Sequence, residues 1–83
     1  MKFEEFLVQE IKKISFKTVK PDESLIKSGL LTSITVIDLV VSIEDAYKVK
    51  ISFTDITPAN FDTIDLIIKF LNDRGISLDK MPA

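Results

Sequence analysis

Gly29-Leu30-Leu31-Thr32-Ser33-Ile34 closes a polar stretch and opens a strongly apolar run that reaches Tyr47. The pattern predicts a helix from about Ser33 to Tyr47, with Thr32 or Ser33 as its cap. Its polar residues Thr35, Asp38, Ser42 and Asp45 fall on one narrow stripe at helical spacing. Val36, Leu39, Val40, Ile43 and Tyr47 supply a core face, which leaves Ile34, Ile37 and Val41 on the flanks beside Ser33. A hydroxyl in the first turn of such a helix lies among unpaired backbone N–H groups at the positive end of the dipole. An anion attached there is favoured. Ser and Thr are ordinary caps, each worth about 1 kcal/mol, so position alone puts capping ahead of chemistry, and the surroundings must decide.

Upstream, Phe3, Phe6, Leu7, Ile11 and Ile14 recur at three- and four-residue steps, with Glu4 and Glu5 first and Lys12 and Lys13 last. This is the pattern of an amphipathic helix whose termini complement its dipole. The connection from Ser15 to Leu31 is long for a small domain and needs anchors. Leu25, Ile26 and Leu30 are expected to pin it across the bundle, while the Gly29 end delivers Ser33 to the surface. Downstream, after a link from Lys48 to Ile56, Thr57-Pro58-Ala59-Asn60 sets a cap before a proline at the first helical position, enough for one turn. Asp62-Thr63-Ile64-Asp65 opens the last helix, whose stripe of Phe61, Ile64, Ile67, Ile68 and Leu71 stops near Gly75. Asp55, Asp62 and Asp65 lack the spacing and central glycine of a calcium loop and are assigned to capping. Residues 1–75 are thus expected to form one domain, and Ile76 to Ala83 a loosely structured tail.

With 83 residues, 46% of them apolar, the chain has material for a single core. Cysteine and histidine are both absent, which removes the usual protein nucleophile, general base and transition-metal ligand. Glu4/Glu5, Asp22/Glu23 and Glu44/Asp45 are adjacent pairs whose side chains diverge, so no carboxylate couple is arranged for acid–base work. The reading is a non-enzyme. A net charge of −2 gives no general drive toward nucleic acid or an anionic membrane. The start, Met1-Lys2-Phe3-Glu4-Glu5, has no signal-peptide pattern and no segment approaches spanning length, so a cytoplasmic location without membrane insertion is the default expectation, and a monomer is the simplest state to expect.

The order of long helix, long loop, Ser-headed helix, single turn and final helix resembles the acyl carrier protein family over roughly residues 3 to 73. Gly29-Leu30-Leu31-Thr32-Ser33-Ile34 is similar to the family's Gly/Asp-Ser-Leu signature, followed in register by Leu39-Val40, Ile43-Glu44-Asp45, Tyr47 and Ile51. Asp55-Ile56-Thr57-Pro58-Ala59-Asn60-Phe61-Asp62-Thr63 resembles the segment around its short third helix. The resemblance implies an all-α, small four-helix bundle of three long helices plus one short one. It implies that Ser33 is the attachment site for 4'-phosphopantetheine, donated by coenzyme A through a phosphopantetheinyl transferase. The arm would hold an acyl or aminoacyl group as a thioester. An acyl- or aminoacyl-activating ligase and acyltransferases or synthases would be the further partners. Ile34 and Val41 match the family's apolar contact positions, and Asp38, Glu44 and Asp45 its acidic recognition positions. Thr32 stands where the family usually has aspartate, and Thr35 where a further acid is common, so the acidic face is thinned. Gly-Leu-Leu looks closer to free-standing acyl carriers and D-alanyl carriers than to the Gly-Gly of peptidyl carriers, and those two stay unseparated. A carrier fold without the arm, acting as an interaction adaptor, is the alternative.

Overall fold

The computed structural model describes residues 3–76. Four helices account for the regular structure: α1 (Phe3–Ser15), α2 (Ser33–Tyr47), α3 (Pro58–Phe61) and α4 (Ile64–Asp73), with a 3-10 turn at Phe53–Asp55. Among the described residues there is no strand, and the all-α bundle follows from the sequence periodicities. Phe3 and Phe6 at the start of α1 meet the Tyr47 ring at the end of α2, with centroids 5.1 and 5.7 Å apart. The two helices therefore run antiparallel, and the end of α1 lies at the same pole as Ser33. α1 also packs on α4, and α3 on α4.

The core joins Leu7 and Ile11 of α1, Val36, Leu39, Val40 and Ile43 of α2, and Phe61, Ile64, Ile67, Phe70 and Leu71 around α4. Ile68, expected in the α4 stripe, is only half-buried, and Phe70 takes that share of the face. The long connection is pinned as expected at Leu25, which is fully buried. Val19 and Leu31 are its other deep anchors, whereas Ile26 and Leu30 are half-buried. Lys17 Nζ and Lys20 N–H both donate to Glu23, at 2.7 and 3.3 Å, and close the turn around Pro21. The hydrogen bond from Lys17 leads the causes that hold the Glu23 carboxyl below its ordinary value.

Two capping expectations are corrected. The Thr57 side chain makes no cap bond; its carbonyl accepts instead, from Asn60 N–H at 3.0 Å and Phe61 N–H at 2.8 Å, which is enough for a single turn. Of the three aspartates assigned to capping, only Asp65 lies in the first turn of a long helix. Thr63 caps α4 by accepting from Leu66 N–H at 3.0 Å. Asp55 pairs with Arg74 at 2.6 Å, tying the 3-10 turn to the end of α4, and Asp62 has a different role, described below. Ile76, the first residue of the expected tail, packs against the core and donates its N–H to Leu71 O at 3.1 Å. The rest of that tail lies outside the described residues.

Phe16 is 90% exposed and adopts a left-handed φ of 60° just beyond α1, where its N–H closes on Lys12 O at 2.8 Å. Glycine is the usual residue in that position. Phe16→Gly relieves a left-handed penalty of about 1–2 kcal/mol and adds unfolded-chain entropy worth about 0.5–1 kcal/mol. The expected net result is a gain of about 0.5 kcal/mol, read as a higher urea midpoint at unchanged slope.

Candidate functional site

Ser33 is the first residue of α2, and Thr32 is its cap. Thr32 Oγ1 accepts from Thr35 N–H at 3.3 Å, and Thr35 Oγ1 accepts from Thr32 N–H at 2.7 Å while donating to Thr32 O at 3.0 Å. This is a capping box built from two threonines, where Glu or Gln is the usual third-position residue. Thr35, read from sequence as a polar-stripe residue standing where a further acid is common, thus has a structural task. Thr32→Ala, which dismantles the box, is expected to cost about 1 kcal/mol in chemical unfolding.

The box leaves the Ser33 hydroxyl free of hydrogen bonds to the described residues, and Ser33 is exposed. Thr35 N–H is taken by the cap and Val36 N–H by Thr32 O, at 2.9 Å. The N–H groups of Ser33 and Ile34 have no intrahelical acceptor, as in any first turn. No acidic residue occupies that turn, so no side chain within it offsets the positive end of the dipole. A helix pole of this kind favours an anion.

What delivers Ser33 is the Leu25–Leu31 segment. Gly29 takes a φ of +82°, the left-handed turn that glycine enters without strain, and Leu31 N–H closes back on Leu25 O at 2.7 Å. Asp62, 7% exposed at the joint between α3 and α4, holds this segment from beneath. Its Oδ1 accepts from Ser24 Oγ, Ile26 N–H and Lys27 N–H, each at 2.9 Å. Burial pushes this carboxyl up; the bonds from Lys27 N–H, Ser24 and Ile26 N–H, with the Lys27 charge, outweigh it, and the net shift is below the ordinary value of 3.8. Sequence reasoning missed the latch because its partners lie 35 to 38 residues away.

Beside Ser33 opens an apolar cleft of about 230 Å3, bounded by Ile26, Val36, Ile37, Phe53, Ile56 and Pro58. Phe53 on the 3-10 turn is 74% exposed and was not singled out by sequence; an aromatic in a short link carries no periodic signal. Along α2, Ile34, Asp38, Val41 and Asp45 share one exposed stripe at four- and three-residue steps, with Ile34 72% and Val41 46% exposed. Glu44 stands apart: it is half-buried, and its Oε2 accepts from Ile51 N–H at 2.9 Å, stapling the chain after α2 back to the helix. No group of His, Cys, Asp and Glu among the described residues is arranged to hold a metal ion.

A family model described as the phosphopantetheine attachment site matches residues 6–71, which span α1 through nearly all of α4. The chain belongs to this family. Searches of curated proteins and of solved structures found no significant match. The phosphopantetheine-attachment family binds 4'-phosphopantetheine covalently, is non-catalytic in itself and works with a phosphopantetheinyl transferase and pathway enzymes. Bound, the group supplies a terminal thiol on a long arm, which this cysteine-free chain lacks. The residues at the α2 pole fit such a group: an exposed primary hydroxyl, two N–H groups without a partner among the described residues and no acid in the first turn. Membership of this family supports a phosphopantetheine-carrier role for the chain. No described helix is long and apolar enough to cross a membrane.

Proposed function

We propose that Ser33 carries the phosphopantetheine arm and that the protein presents an acyl or aminoacyl thioester to the enzymes of a biosynthetic pathway. The observation that carries this reading is an exposed Ser33 hydroxyl, without a hydrogen bond to any described residue, at a helix pole free of first-turn acids. Its oxygen loses its proton and attacks the pantetheine-bearing phosphorus of coenzyme A, the pyrophosphate bond breaks, adenosine 3',5'-bisphosphate leaves, and the N–H groups of Ser33 and Ile34 with the helix dipole favour the charge of the resulting phosphodiester. Ile34 and Val41 give a docking enzyme apolar contact, and Asp38 and Asp45 on the same stripe give it charge to orient on. Glu44 contributes through the oxygen that Ile51 does not use. An activating ligase loads the thiol, and acyltransferases or synthases unload it. With the arm as a flexible tether, cargo reaches each docked enzyme at high effective concentration.

The test is intact-protein mass spectrometry after incubation with coenzyme A, magnesium and a broad-specificity phosphopantetheinyl transferase. A gain of one phosphopantetheine, mapped to the peptide containing Ser33, is the expected result. No gain with several transferases moves the adaptor reading to first place.

A further inference from the structure

We propose that Asp62 is the positioning residue that sets how Ser33 is presented to the modifying enzyme, an inference that rests on Ser33 as the attachment point. A single oxygen, Asp62 Oδ1, gathers the Ser24 hydroxyl and the N–H groups of Ile26 and Lys27, all at 2.9 Å. The Asp62 carbonyl takes Leu25 N–H at 2.6 Å. Four consecutive residues, Ser24 to Lys27, are thereby fixed to the α3–α4 joint. From them the order passes on: Gly29 N–H bonds to Ile26 O at 3.0 Å, and Leu31 N–H to Leu25 O at 2.7 Å. Leu31 is buried, and Thr32 alone separates it from Ser33.

Ile26 is clamped directly by Asp62 and forms one wall of the cleft that Ser33 borders. One carboxylate therefore governs both the approach of the chain to Ser33 and the wall beside it. The backbone bonds through Leu25 survive its removal, so the core anchor persists while the turn from Ile26 to Leu30 loses its support. An enzyme that must engage the α2 stripe and the Ser33 hydroxyl together then finds its binding-competent arrangement only part of the time. Apparent affinity falls in proportion to that fraction, and the chemical step is unchanged once the complex has formed.

The experiment measures KM and kcat for phosphopantetheine transfer from coenzyme A to the full chain, with amide hydrogen exchange at residues 26–34 alongside. Asp62→Ala is expected to raise KM about tenfold with kcat within about twofold, and to speed exchange from Ile26 to Leu31. Asp62→Asn, whose carbonyl oxygen can take the same donors, is expected to restore KM to within about threefold of the parent. Phe6→Ala, which destabilises the opposite pole at Tyr47, is expected to leave KM unaltered. Should Asp62→Ala not fold, Ser24→Ala, which removes one donor, decides by a smaller rise in KM. An unchanged KM in the folded latch variant, or an equal rise in Phe6→Ala, overturns the proposal. Absence of any mass gain in the parent chain instead strikes the Ser33 reading itself, so the two failures are distinct.

Discussion

Ser33→Ala is expected to abolish uptake of phosphopantetheine while leaving the bundle intact. On the proposed reading the oxygen lost is the one that bonds to the incoming phosphorus, and the neighbouring hydroxyls are engaged in hydrogen bonds. Thr32 Oγ1 and Thr35 Oγ1 are held in the capping box. Ser28 Oγ donates to Ser24 O at 2.7 Å, and Ser24 Oγ donates to Asp62. Alanine is a good first-turn residue, and because Thr32 rather than Ser33 is the cap, the stability change should stay within about 0.5 kcal/mol. Mass spectrometry should show one added phosphopantetheine on the parent and none on the variant, with superimposable thermal unfolding. A modified Ser33→Ala protein would place the arm on another hydroxyl.

The second large effect concerns stability. Asp62→Ala strips two N–H groups and a hydroxyl of their shared acceptor in a half-buried segment, at a cost of about 2–4 kcal/mol. Small domains hold about 0.1 kcal/mol per residue, so this is a substantial part of the total. The same carboxylate gives a signed pH dependence. Its folded pKa is depressed below 3.8, so the stability it contributes is fully present above the unfolded pKa and is lost as pH falls through the lower folded value. Urea midpoints of the parent should therefore decline from about pH 4 downward, and Asp62→Asn should flatten that decline while losing little structure at neutral pH. An identical acid limb in both proteins would assign the decline to other carboxylates.

The helices were legible because their signals are local. α1, α2 and α4 each repeat apolar residues at helical spacing, and Pro58 after Thr57 marks α3, so neighbouring residues alone specify where each begins. Ser33 was legible for the same reason: the end of a polar stretch, a cap and an apolar run are consecutive in the chain. The flanking position of Ile34, Ile37 and Val41 also followed from the α2 period, and their exposure agrees with it.

The roles of individual polar groups were not legible, because a hydrogen bond is specified by where two segments meet. Asp62, adjacent to a helix start, has the local signature of a cap; only the packing of the α3–α4 joint under Leu25 turns its carboxylate toward Ser24, Ile26 and Lys27. Glu44 reads as a recognition acid, and only the folding back of the chain after α2 shows that one of its oxygens also takes Ile51 N–H, at 2.9 Å. Phe53 reads as a link residue until its turn is fastened to α4 through Asp55 and Arg74 and becomes a wall of the cleft. Periodicity and capping act over a few residues, so the helices, the core faces of α1 and α2, most of that of α4, and the serine at the α2 pole are written locally in the sequence. Tertiary structure alone decided which acids latch the loop, which remain on the surface and where the cleft opens, since those outcomes depend on contacts between distant segments.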